Sequence, residues 1–265
     1  MKRFTGLRGA RVFAAVGTAF LLAAPAAGAA DRYVALGDSF SSGVGTGSYS
    51  LSSTCKRSVY AYPYLLSQQR ADTSLSFVAC SGATTADLLS SQLPTLDSSP
   101  TSIVTLTIGG NDIGFANLIY QCTIADCSAA LDSTRLSLES TLGPRLDSVY
   151  AAVQGHAAPG AKIVVLGYPH EFGSSGCLGS FGVSSTERTK ANQLADALDA
   201  TIAGHVSRFP GITYKSALAA FASHAVCSSA PWLNGLNLFN TSESYHPTKS
   251  GHSLGYLPLV RLVTG

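Results

Sequence analysis

Short apolar runs ending in glycine recur along this chain, and stretches of helical spacing separate them. "RYVAL" at 32–36 runs into Gly37-Asp38-Ser39, and "LSFVA" at 75–79 precedes a turn holding Gly82. The strongly β-branched "IVTLTI" at 103–108 ends in Gly109-Gly110-Asn111. "KIVVL" at 162–166 has the unbroken apolar character of a strand buried on both faces. Between these runs, "TTADLLSSQL" predicts a helix from near Thr84, and 136–153 a second, with Pro144 close to its start or at a kink. Residues 186–206 predict an amphipathic helix, 213–215 a short strand and 252–263 a last helix, which Pro258 argues against being continuous. Strands alternating with helices predict an α/β fold with a mainly parallel sheet. Ligands of such sheets sit beyond the carboxyl ends of the strands, and Ser39, Gly82 and Asn111 each follow one.

Residues 1–29 read differently. Lys2, Arg3, Arg8 and Arg11 precede an apolar run from Val12 to Ala24, and "APAAGAA" closes it with small residues. This is the pattern of a secretory signal peptide cut near Ala29, and the run falls short of the ~20 residues a membrane span needs. Residues 30–265 then form one domain with no repeat or linker, secreted to the extracellular side, and no later segment is apolar enough to be a transmembrane anchor. Without the leader, thirteen basic residues face fifteen acidic ones, a net charge of −2. The basic balance belongs to the leader, and no nucleic-acid-binding patch remains.

Six cysteines, Cys55, Cys80, Cys122, Cys127, Cys177 and Cys227, lie in this exported part. An even number in an oxidising compartment argues for three disulfides. No pair has the CxxC spacing of a zinc site, so no metal is expected. Composition leaves all fifteen pairings open.

Ser39 is a nucleophile only if the chain supplies a base and oxyanion donors. Gly82 offers a backbone N–H in a turn, and Asn111 a side-chain amide at a strand end; each by itself is also ordinary turn chemistry. Among six histidines, His156, His170, His205 and His224 carry no accompanying signal and read as exposed or locally bonded. His246 stands in "SESYHPTKSGH", a polar loop fixed by Pro247, with Glu243 three residues before it; His252 is a weaker rival. "GVGTG" at 43–47 resembles a dinucleotide fingerprint but lacks the third-glycine spacing and a following acidic residue. Those glycines read instead as a flexible wall beside Ser39, and no cofactor is expected.

Gly-Asp-Ser, then a glycine turn, then Gly-Gly-Asn-Asp, then a late histidine before proline resembles the SGNH hydrolases of the GDSL lipase and esterase group. Ser39, Gly82, Asn111 and His246 match the four blocks in order. "RYVALGDSFSSGVG", "CSGA", "TIGGND", "VVLGYP" and "CSSAPWLN" are most similar to secreted streptomycete lipases and phospholipases, including phospholipase A1. The resemblance implies a flavodoxin-like three-layer α/β/α sandwich and a serine esterase acting through an acyl-enzyme. It implies His246 as general base and an oxyanion hole of the Ser39 and Gly82 N–H groups with the Asn111 amide. Asp38 would be structural and Asp112 would orient the Asn111 loop. The resemblance also implies disulfides in sequence order, Cys55–Cys80, Cys122–Cys127 and Cys177–Cys227. A lipid ester substrate met at a lipid–water interface, and a monomer, are the further expectations. A carbohydrate acetylesterase is the alternative enzyme, and a secreted non-catalytic binding protein the alternative of another class.

One position departs from the family. Where an Asp usually stands three residues before the histidine, this chain has Glu243, whose extra methylene moves the carboxylate. The backbone carbonyl of Ser244 is the favoured orienter of His246, with Glu243 the other candidate. Phe40, Tyr49, Ile113, Phe115, Tyr168, Phe172, Trp232 and Leu233 are candidate walls of an acyl groove, or else ordinary core.

Overall fold

The computed structural model describes residues 1–3, 6, 31–98 and 100–265. The expected signal peptide thus lies almost wholly outside the described residues. From Asp31 the chain alternates strand and helix: β1 Asp31–Ala35, α1 Ser39–Ser42, α2 Tyr62–Gln68, β2 Thr73–Phe77, α3 Thr85–Asp87, β3 Ile103–Leu106, α4 Phe115–Gln121, α5 Ser128–His156, β4 Lys162–Leu166, α6 Ser185–Val206, β5 Ile212–Lys215, α7 Leu218–Phe221 and α8 Leu257–Thr264. The five strands are all parallel in the order β2-β1-β3-β4-β5, the flavodoxin-like order. One helical layer is α5 packed along α6 with α3 beside it; the other joins α2 to α8. The fold is the three-layer α/β/α sandwich that the resemblance implies, on the parallel sheet that the alternation of strands and helices predicts.

Burial follows position in the sheet. The central strands β1, β3 and β4 are buried throughout apart from Asp31 and Lys162. The edge strand β2, "TSLSF", is only partly covered, which suits its alternating serines. It lies two residues earlier than the sequence suggests. Val78 and Ala79 N–H both donate to the Ala35 carbonyl (3.0 Å each), so the chain leaves the ladder after Phe77 and turns toward Gly82.

Two prolines are absorbed into helical segments in different ways. Pro144 lies inside α5, which starts at Ser128, eight residues before the periodic stretch. A proline in a helix interior costs about 3 kcal/mol. Leu131, Leu138, Leu142, Leu146, Val149 and Val153 form one buried stripe through it, and each such side chain contributes ~1.5–3 kcal/mol, so the helix continues. Pro258 is accommodated by a wide turn. Gly251–Tyr256 is π-helical, with Leu257 N–H reaching back to the His252 carbonyl, and α8 starts with Pro258 in its first turn, where no N–H is required.

Candidate active site

The order of the strands reverses between β1 and β3, and this switch point is where an open α/β sheet leaves room for a ligand. β1 delivers Gly37-Asp38-Ser39 there, and β3 delivers Asn111. The Gln92 side chain clamps Gly37, accepting its N–H at 2.7 Å and donating to its carbonyl at 2.9 Å. Asp38 is the N-cap of α1: its Oδ1 accepts the Phe40 N–H at 3.0 Å and the Thr107 hydroxyl at 2.6 Å. Its Oδ2 accepts the Tyr168 phenol, whose oxygen accepts the Gly110 N–H at 3.1 Å. Asp38 therefore ties the Ser39 turn to the Asn111 loop. Burial pushes its carboxyl up to about 6, against the lowering by these three donors.

His246 reaches Ser39 from a loop 207 residues away. Its Nε2 lies 2.9 Å from Ser39 Oγ and its Nδ1 2.8 Å from the Ser244 carbonyl oxygen. A carbonyl only accepts, so Nδ1 carries the proton and Nε2 is left free to accept from the serine hydroxyl. Ser39 is 6% exposed and His246 7%. Burial lowers the imidazole from 6.5 to about 4, with the Lys56 ammonium acting in the same direction and the Ser244 carbonyl opposing.

That shift has a kinetic consequence. A general base works when neutral, and His246 becomes protonated only as pH falls through about 4. Initial rates should give an acid limb of kcat/KM nearer pH 4 than pH 6.5; a limb between 6 and 7 would contradict the buried neutral imidazole. Stability runs the same way. The folded value is depressed, so the unfolded chain takes up the proton first, and stability is lost as pH drops from 6.5 toward about 4. His252, lowered by burial to about 3, adds to this loss. It is fully buried and its Nδ1 accepts the Tyr62 N–H at 3.3 Å, so this ring is engaged with α2, whereas the His246 ring is the one at Ser39 Oγ. The other four histidines have local partners: Asp97 for His156, Asp196 for His170, Asp147 and Glu139 for His205, and the Ala230 carbonyl for His224.

Glu243 is not at the imidazole. Its carboxylate takes the Tyr49 phenol and, at 3.4 Å, the Asn240 amide. The Asn234 amide donates to the carbonyls of Gly45 (2.8 Å) and Glu243 (3.2 Å), while its backbone bonds Tyr245 and His246 on both sides. Glu243 and Asn234 thus hold the His246 loop against the segment after Ser39. Glu243→Gln keeps an oxygen for Tyr49, so kcat should fall less than tenfold; a thousandfold loss in a folded variant would make Glu243 the orienting acid.

Gly45 belongs to the same clasp. It has φ +95°, and a Cβ there would lie 2.5 Å from the Pro247 carbonyl oxygen and 2.9 Å from His246 Cβ. It is a close-packed seat for the histidine loop, not the flexible wall the sequence suggests.

Gly82 has φ +83° and open space where a Cβ would be, so the turn requires glycine for its left-handed backbone. Among the described residues, the N–H groups of Ser39 and Gly82 donate to no protein acceptor. The Asn111 amide donates one hydrogen to the Ala83 carbonyl at 2.9 Å, which leaves the other available. Asp112 accepts the Thr85 N–H (2.9 Å) and hydroxyl (2.6 Å) and pairs with Arg145 at 3.3 Å, pinning the Asn111 loop to α3. Disulfides join Cys55 to Cys80, Cys122 to Cys127 and Cys177 to Cys227. The first anchors the Gly82 turn, where Ser81 N–H also donates to the Cys55 carbonyl at 3.0 Å.

A cavity of 370 Å³ adjoins His246, walled by Ala116, Asn117, Tyr120, Thr241, Ser242, Ser244 and Tyr245. None of the eight candidate groove residues lines it. Phe40, Phe115, Tyr168, Phe172 and Leu233 are buried in the core, Ile113 is packed against it, Tyr49 serves the Glu243 clasp, and Trp232 stacks on His224 at 3.6 Å. The walls come instead from α4 and the His246 loop. Asn117 and Tyr120, one turn apart on a helix opened by Gly114, offer that spacing as their only sequence signal.

The profile of the GDSL-like lipase/acylhydrolase family matches residues 35–254. The chain belongs to that family. It is 44% identical to Lipase 1 of Streptomyces coelicolor over 88% of this chain and 86% of the relative. The crystal structure of an extracellular lipase from Streptomyces rimosus superposes with a TM-score of 0.82 at 42% identity, covering 88% of this chain and all of the other. That of phospholipase A1 from Streptomyces albidoflavus NA297 also gives 0.82, at 44% identity over 89% of this chain and all of the other. The GDSL-like domain thus extends over both strand ends and the histidine loop.

Proposed function

We propose that the protein is an exported lipid ester hydrolase of lipase or phospholipase A1 type, with Ser39 as nucleophile and His246 as its base. The observation that carries this is the chain of contacts from Ser39 Oγ through the imidazole to the Ser244 carbonyl. Ser39 Oγ attacks the ester carbonyl carbon while His246 Nε2 takes its proton. The negative oxygen is held by the Ser39 and Gly82 N–H groups and the Asn111 amide. The imidazolium, steadied by the Ser244 carbonyl, protonates the leaving alcohol as the ester C–O bond breaks. Water, deprotonated by His246, then attacks the acyl-enzyme, and the acid leaves as the proton returns to Ser39. Each step uses groups of this chain. The lipid substrate class is supported by the lipases and the phospholipase that resemble this chain over most of its length. Export is supported by the leader pattern and the three disulfides, and no helix among the described residues is long and apolar enough to cross a membrane.

Labelling by a fluorophosphonate, mapped to its peptide, and turnover of phosphatidylcholine, triolein and acetylated xylan test the reading. Label on Ser39 with release of fatty acid from a lipid, the sn-1 chain of the phospholipid included, supports it. Deacetylation of xylan alone would transfer the chain to the carbohydrate esterases, and absence of both label and turnover would leave a binding protein.

A further inference from the structure

Two loops place large apolar side chains in water on one side of the molecule. Leu178 is 86% exposed, Phe181 65%, Leu238 74% and Phe239 103%, and with Leu236 and Asn237 they border one shallow apolar depression of 400 Å³. Single exposed apolar residues are ordinary, whereas a contiguous group of this size marks a surface that meets something.

The loops are held rigidly. The Cys177–Cys227 disulfide joins their bases, and Leu236 N–H donates to the Gly179 carbonyl at 2.7 Å. Asn237 Oδ1 accepts the N–H groups of Phe239 and Asn240 at 3.1 Å each, and Asn237 N–H donates to Ser244 Oγ at 2.8 Å. Phe239 is thus presented at the tip of a braced turn.

Two connections place the patch beside the cavity at His246. The turn runs directly from Phe239 into Thr241, Ser242 and Ser244, which wall that cavity. The Phe181 loop abuts the end of α4, since a Cβ on Gly182 would lie 2.2 Å from the Thr123 carbonyl oxygen, and α4 carries Tyr120 of the same wall. Charge decides the partner. No Lys, Arg, Asp or Glu occurs in 172–186 or in 225–242, and the cations that touch these loops, half-buried Lys56 on the Ser242 hydroxyl and half-buried Arg188 on the Val183 carbonyl, bind beyond the apolar tips, so the tips themselves offer no charge to an anionic surface or to a protein rim.

We infer that Leu178, Phe181, Leu238 and Phe239 form a docking surface that inserts into an electrically neutral lipid interface and sets the cavity beside His246 over it. The inference rests on the lipid ester reading for its purpose, while its binding test does not depend on turnover. Flotation with vesicles of diether phosphatidylcholine, which has no carboxylic ester to cleave, measures docking. Hydrolysis of p-nitrophenyl butyrate below its solubility limit measures the site.

The Leu238→Ser/Phe239→Ser variant should lose at least tenfold in vesicle affinity and show at least a tenfold higher KM for vesicular phosphatidylcholine, with p-nitrophenyl butyrate turnover within twofold of the parent. Phe181→Ser should shift the same two quantities in the same direction. Leu262→Ser, whose exposed leucine lies on α8 (73%), should change neither. Parent-like vesicle binding by the double variant, or equal loss in Leu262→Ser, would overturn the inference. So would a parent dimer that the double variant dissociates without change in vesicle binding, which would assign the patch to a second copy of the chain. Failure of fluorophosphonate labelling in the parent would instead strike the ester hydrolase reading and leave the docking measurement standing.

Discussion

Ser39→Ala and His246→Ala should each lower kcat by at least about 10⁴, and the double variant should be no worse than the poorer single within a few-fold. A serine hydroxyl is nucleophilic only as its proton leaves, and among the described residues the acceptor placed for it is His246 Nε2 at 2.9 Å. Removing either partner therefore removes the same step. In a serine protease, loss of the serine or of the histidine each costs about 2 × 10⁶ in kcat, as much as loss of the whole triad. Here a neutral carbonyl replaces the acid, which weakens imidazolium stabilisation and puts the expected loss somewhat lower. The fold should survive. Among the described residues Ser39 Oγ bonds only the His246 imidazole, and the turn is held by Gln92, Thr107 and Tyr168 through Gly37 and Asp38. Melting and circular dichroism check the fold, and single-turnover kinetics the chemistry. Losses that multiply in the double variant, or near-full activity of His246→Ala, would place the base elsewhere.

What could be read in advance follows from range. β3 and β4 declare themselves because a strand buried on both faces must be apolar throughout, and this needs no knowledge of its neighbours. Ser39, Gly82 and Asn111 were legible as a group because each follows a strand and the strand ends of a parallel sheet converge, whereas His246, on a loop, was marked by its Pro247 context and by the resemblance of the four blocks to the GDSL group. The end of β2 was not, since it depends on two amides sharing the Ala35 carbonyl. The groove residues failed for a related reason. Phe40 and Tyr168 follow strands as the site residues do, yet they point beneath the site, where their rings lie 5.0 Å apart edge to face. Composition cannot tell the floor of a site from its walls. The Tyr49–Glu243 clasp joins residues 194 apart, and Glu243 was a candidate acid from its place three residues before His246, with its distant partner out of view. Pro144 shows the opposite case: a strong local helix-breaking signal lies within a helix that a long buried stripe carries past it.

Asn111→Ala should reduce kcat by about 10²–10³ and leave KM nearly unchanged. The amide has a fixed direction, because Ala83 O holds one of its two hydrogens at 2.9 Å and the loop is anchored separately through Asp112 to Thr85 and Arg145. Truncation at Asn111 therefore leaves the loop in place and deletes one donor. Charge on the ester oxygen develops only as the tetrahedral intermediate forms, so the lost contact acts on the transition state more than on the bound substrate. One such donor is worth about 3–4 kcal/mol in a site of this type, which is the loss given above. Asn111→Asp should be worse than Ala, since a carboxylate would face both the Ala83 carbonyl and the developing oxyanion. Steady-state kinetics on a soluble ester, with fluorophosphonate labelling to count competent sites, separates these outcomes. A loss below tenfold in kcat, or one carried wholly by KM, would remove Asn111 from the oxyanion hole and leave the Ser39 and Gly82 N–H groups as its donors.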